Sequence, residues 1–110
     1  MTPFLINRRQ VLASGAAILA GGAAARAHDG TVHVTIDRLA FMPAAIEVRA
    51  GETIEWTNRD AFAHTATVRG GWEVTIPPGG TATRVAEAGD DVEYYCRFHP
   101  NMKGRITIVP

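Results

Sequence analysis

Cys96, His99 and Met102 follow one another at intervals of three in the run Cys96-Arg97-Phe98-His99-Pro100-Asn101-Met102, and His64 lies 32 residues before the cysteine. One thiolate, two imidazoles and a thioether are the donor types of a copper electron-transfer site, with His₂Cys in a plane and a weak axial Met. Zinc fits them poorly: a structural zinc site takes four Cys or His ligands, and this chain has a single cysteine. Alone, a Cys in such a chain is commonly a small buried hydrophobe and a lone His a surface or core residue. The joint spacing is what points to a metal. One tight loop can turn Cys96, His99 and Met102 inward, stiffened by Pro100 and released toward the last strand by Gly104.

Such a loop needs rigid strands on either side. Apolar residues alternate with polar ones in Thr31-Val32-His33-Val34-Thr35-Ile36, in Thr53-Ile54-Glu55-Trp56-Thr57-Asn58 and from Thr81 to Ala86, the period of half-buried strands. Further strand pieces are Leu39 to Met42, Ile46 to Val48, His64 to Val68, Trp72 to Ile76, Val92 to Cys96 and Arg105 to Val109. Pro43 breaks one of them, because proline cannot donate to a ladder. Gly51, Gly70-Gly71, Pro77-Pro78-Gly79-Gly80 and Gly89-Asp90 supply the turns. The pattern predicts an all-β fold, a small Greek-key sandwich or barrel of seven to eight strands. Alternation puts Tyr94 and Cys96 on one face of their strand and Tyr95 on the other. Trp56 and Trp72 are expected core anchors.

Residues 1–27 read as an export signal rather than as part of the fold. Arg8 and Arg9 precede an uncharged run from Val11 to Ala25, and Ala25-Arg26-Ala27 offers a cleavage site. Asn7-Arg8-Arg9-Gln10-Val11-Leu12 is similar to a twin-arginine signal, which implies a periplasmic destination for an already folded domain. Left uncleaved, the segment would act as a membrane anchor. Cleavage after Ala27 leaves one domain of 83 residues, 28–110, with eight basic against eleven acidic residues, a net charge of −3. That balance excludes a nucleic-acid partner and favours a cationic or neutral one. A lone thiol is a liability in an oxidising compartment, and no disulfide can staple so small a core. A bound metal answers both needs.

From Phe41 to the C-terminus the chain resembles the cupredoxins, the small blue copper proteins, and within them the amicyanin group. The resemblance rests on the spacing C-x-x-H-x-x-M at Cys96, His99 and Met102, on Pro100 after the second His, and on Asn58 six residues before His64. The chain departs from the group at Arg97 and Phe98, where a small polar residue and a proline are usual, and at Ala63, where a proline is usual. The resemblance implies one type 1 copper ion held by His64, Cys96, His99 and Met102, with Asn58 tying the two ligand loops together.

It further implies a monomeric one-electron carrier rather than an enzyme. No small-molecule substrate is expected, and no additional His cluster is present to build the extra centres of multicopper enzymes. Redox partners, a dehydrogenase or a c-type cytochrome, are expected to dock near His99, on apolar residues drawn from Met42, Phe62, Ala63, Phe98 and Pro100. An acidic run, Asp90, Asp91 and Glu93, reads either as a solvated turn or as a feature that steers a cationic partner. The alternative function is a copper carrier that delivers the ion to another protein. Separately, His28, as a new N-terminus, and His33 are candidates for a second copper site.

Overall fold

A computed structural model describes residues 24–110 as ten strands in two sheets. The strands are β1 (Ala25–Arg26), β2 (Thr31–Asp37), β3 (Ala40–Met42), β4 (Ala45–Val48), β5 (Thr53–Asn58), β6 (His64–Thr67), β7 (Glu73–Ile76), β8 (Thr81–Val85), β9 (Glu93–Cys96) and β10 (His99–Ile108). The larger sheet has the order β1-β4-β10-β9-β6-β7, the smaller β3-β2-β5-β8. The expected all-β sandwich is therefore present, with more strands than alternation suggested. Two local causes account for the excess. The break at Pro43 sends β3 and β4 into different sheets, and Ala25–Arg26 adds a short parallel edge strand to β4.

Alternation decides which side chains face inward. In β2 the buried set is Val32, Val34 and Ile36; in β5 it is Ile54, Trp56 and Asn58. The two strands run parallel in register, so Val34 stands beside Trp56 and Ile36 beside Asn58. Facing them across the sandwich are Ile46, Val48, Ala66, Ile76, Tyr94, Cys96 and Ile106, all buried. Each large apolar side chain removed from water contributes roughly 1.5–3 kcal/mol.

Trp56 and Tyr94 bolt the sheets together. The Trp56 indole N–H donates to the Tyr94 hydroxyl at 3.2 Å, and the rings meet edge to face with centroids 5.8 Å apart. Trp72 packs at the edge of the core instead, its centroid 6.4 Å from that of Trp56. The Pro77-Pro78-Gly79-Gly80 turn closes as expected, with Gly79 at φ +68° and the Gly80 amide donating to the Pro77 carbonyl at 3.0 Å. No helix among the described residues is long and apolar enough to cross a membrane.

Candidate metal centre

Three strand ends deliver the donors. Cys96 closes β9, His64 opens β6, and His99 opens β10 directly opposite Cys96 in the antiparallel pair. The register then shifts between His99 and Lys103. The expected tight loop, released toward the last strand at Gly104, is instead a hairpin whose return is an irregular part of β10 from His99 onward. Tyr94 and Cys96 share the buried face, as alternation required.

Donor atoms of His64, Cys96 and His99 all lie within 4.8 Å of one another, the one such cluster among the described residues. The Cys96 sulfur is 3.6 Å from His64 Nδ1 and 3.7 Å from His99 Nδ1. Metal–ligand bonds of about 2.0–2.3 Å at roughly tetrahedral or trigonal angles place two donors on one ion about 3.5 Å apart. The sulfur stands at that separation from each imidazole nitrogen. Met102 is buried on the same segment and lines, with His99, a hollow of about 360 Å³. His64 and Cys96 are fully buried; His99 is half-buried and meets the surface through that hollow.

Hydrogen bonds hold the donors in place. His64 contacts Asp60 Oδ2 through Nε2 at 2.8 Å, which fixes the tautomer with the proton on Nε2 and leaves the Nδ1 lone pair aimed at the cluster. The Asp60 carboxyl also accepts the amides of Arg38 at 2.8 Å and Leu39 at 3.1 Å. Partial burial opposes its ionisation, but these two amides and His64 outweigh burial and hold it below the usual carboxylate range. Both Arg38 and Leu39 adopt left-handed backbone, φ +53° and +63°, so the carboxylate secures a turn that would otherwise be strained.

Asn58 has a different task from the expected one. Its amide donates to the carbonyls of Phe62, Ile76 and Pro77, and its oxygen accepts the Asp60 amide at 2.9 Å. It staples the first ligand loop to the end of β7 rather than to the second ligand loop. That second link belongs to Thr65, which sequence reasoning missed. The Thr65 amide donates to the Cys96 sulfur at 3.4 Å, and its hydroxyl accepts the Arg97 amide at 2.8 Å. The same hydroxyl is 2.8 Å from that of Thr67, whose hydroxyl donates to Glu73 at 2.8 Å. Glu73 closes the ring through two bonds from the Arg97 guanidinium, at 2.8 and 3.0 Å.

The other sequence candidates are placed apart from this cluster. His33 pairs with Glu55 at 2.8 Å on the outer face of the smaller sheet, and His28 lies beside Asp29; neither joins a metal-binding cluster among the described residues. Asp90 is buried, not a solvated or steering acid: it receives Arg84 and Trp72. Asp91 is bound by Arg105. The hydrophobic rim is exposed as expected at Met42, Phe62 and Phe98, and Leu39 joins it.

The Cupredoxin-like domain family model matches residues 10–108. The chain is a cupredoxin. Amicyanin from Paracoccus denitrificans is 30% identical over 94 residues, covering 78% of this chain and 71% of that protein. Amicyanin-alpha from Methylorubrum extorquens is 28% identical over 105 residues, 86% of this chain and 88% of the relative. The solved amicyanin of Paracoccus versutus shares the fold with a TM-score of 0.64 at 19% identity, covering 82% of this chain and 93% of the other. This cupredoxin is an electron carrier and not an enzyme, and its cofactor is copper. When bound, copper supplies a one-electron couple, Cu(II) to Cu(I).

Proposed function

We propose that this cupredoxin is a periplasmic type 1 copper carrier in which His64, Cys96, His99 and Met102 hold the ion, and that electrons pass through His99. The convergence of two imidazole nitrogens on the Cys96 sulfur at 3.6 and 3.7 Å carries this reading. Thr65 holds the sulfur and Asp60 holds His64, so neither oxidation state has to rebuild its surroundings. The half-buried His99, facing a hollow lined by Leu39, Phe98 and Pro100, is the donor a partner can approach. Partners of the proposed kind are a dehydrogenase and a c-type cytochrome, docking as macromolecules on a monomeric carrier.

Residues 1–27 are the proposed export signal and 28–110 the mature domain, with most of the signal outside the described residues. Pairing of Ala25–Arg26 with β4 then belongs to the precursor and is lost on processing. Mass spectrometry of periplasmic protein should find His28 at the N-terminus; a chain that retains Ala25 would displace the boundary.

The deciding experiment loads the mature domain with Cu(II) and records absorption and EPR spectra, then repeats both with Cys96→Ser. An intense band at about 600 nm from the copper–thiolate bond is expected, lost in the variant. Copper binding without that band would favour the delivery reading, and a band that survives the substitution would remove the thiolate from the site.

A further inference from the structure

The two imidazoles of the donor cluster are held by different means. His64 is fully buried and bonded through Nε2 to Asp60. His99 is half-buried, and its Nε2 has no hydrogen-bond partner among the described residues. A carboxylate sets the plane of the first ring; nothing polar sets that of the second. An imidazole turns readily about its last side-chain bond, so packing alone keeps His99 Nδ1 facing the Cys96 sulfur.

Phe62 supplies that packing. Its ring lies against both imidazoles, with centroids 5.2 Å from His64 at an interplanar angle of 67° and 5.5 Å from His99 at 45°. The two imidazoles are themselves 5.1 Å apart. Three rings from two separate loops thus close a triangle, and offset or edge contacts at such separations are the ones aromatic rings favour. Phe98 stands next to His99 in sequence but packs under the Arg97 guanidinium instead, 4.9 Å from its ring centroid.

The backbone that carries the Phe62 ring is pinned. Its carbonyl accepts the Asn58 amide at 2.8 Å. Asn58 is buried at the end of β5, with its other bonds to Asp60 and to the carbonyls of Ile76 and Pro77. A half-exposed phenylalanine on a loose loop could swing away; this one starts from an anchored carbonyl. Asn58 therefore reaches the second ligand loop indirectly, through a ring rather than a hydrogen bond.

We infer that Phe62 is a positioning residue for His99: its ring bears on both imidazoles and holds the second in the orientation that the unbonded Nε2 leaves open. This rests on the proposed ligand set. For a carrier, the consequence is a His99 that keeps one orientation in both oxidation states while its outer edge stays open to a partner.

The test compares the copper-loaded domain with its Phe62→Ala, Phe62→Leu and Phe62→Tyr variants. Each is read by its Cu(II) EPR spectrum and by the rate at which excess EDTA removes copper. Phe62→Ala removes both ring contacts, so copper removal is expected to quicken about tenfold, and the hyperfine pattern to change as His99 takes more than one orientation. Phe62→Leu fills the space without a ring face and is expected to follow Phe62→Ala in the EPR spectrum, which keeps the test alive should the alanine variant fail to fold. Phe62→Tyr keeps the ring, and both readings should return to those of the unsubstituted domain. An unchanged spectrum in Phe62→Leu or Phe62→Ala overturns the inference and leaves Phe62 as loop packing, whatever the urea midpoint of the metal-free variant. Failure of Phe62→Tyr to restore the spectrum overturns it as well. An unsubstituted domain that takes copper without the thiolate band defeats the ligand set instead, before any variant is compared.

Discussion

Asp60 meets His64 at 2.8 Å while holding the amides of Arg38 and Leu39. One carboxylate therefore orients an imidazole of the donor cluster and secures the turn that presents Leu39 at the rim. Asp60→Ala should lose about 2 kcal/mol in urea unfolding, since two amides in left-handed backbone lose their acceptor. It should also weaken copper binding by roughly tenfold, because the imidazole loses its orienting partner. Asp60→Asn keeps an acceptor for the turn, so it should recover stability more than affinity. Equal recovery of both would mean that the His64 contact is incidental.

The ring through Thr65, Thr67, Glu73 and Arg97 reaches Cys96 from the outside of the sheet. Its outer bond, Arg97 to Glu73, is half exposed and contributes little to stability. Its effect should appear in the electronic properties of the thiolate. The Thr65 N–H draws charge from the sulfur and favours Cu(I), so loosening it should lower the midpoint potential and move the charge-transfer band to longer wavelength. Glu73→Gln and Thr67→Val are each expected to do this, and the double variant to do no more than the larger single effect, because both break one chain. Additive shifts would show two independent influences.

Local spacing made the proposed donors legible: Cys96, His99 and Met102 lie within one hairpin, and the sandwich follows from period-2 alternation. Links that depend on strand register were not legible. Thr65 reaches Cys96 and Arg97 across 31 and 32 residues, and nothing local to either segment signals the contact. Asp60 was closer to visible, four residues before His64, but only the loop geometry turns it toward the ring. Asn58 was singled out correctly as a tie and assigned the wrong partner, because its reach depends on where β7 ends.

Asp90 gives a pH dependence far from the metal centre. Burial pushes its pKa up, but two bonds from Arg84, the Glu87 amide and the Trp72 indole N–H together hold the carboxyl below its ordinary range. A carboxyl depressed in the folded state stabilises the protein above its unfolded pKa, and that contribution disappears as pH falls through the folded value. Asp90→Asn should cost about 2 kcal/mol at pH 7. Urea midpoints of wild type and variant should converge as the pH drops below about 4, the unfolded carboxylate range. Parallel curves down to pH 3 would deny Asp90 this role.

Gly104 was expected to free the chain after the ligand loop; its φ is unremarkable, and its purpose is space. A Cβ built at this position would stand 2.6 Å from Tyr94 Cε1, and the two residues are direct partners between β9 and β10. Tyr94 cannot retreat easily, because its hydroxyl takes the Trp56 N–H and its ring packs on Phe41 with centroids 4.8 Å apart. Gly104→Ala should therefore cost about 3 kcal/mol by overpacking. Displacing Tyr94 also moves the strand that ends in Cys96, so the copper–thiolate band should shift or broaden. Combining it with Tyr94→Ala removes the clash, and the double variant should be destabilised by less than the sum of the two single changes. A full sum would show that Gly104 is required for its backbone and not for the room it leaves.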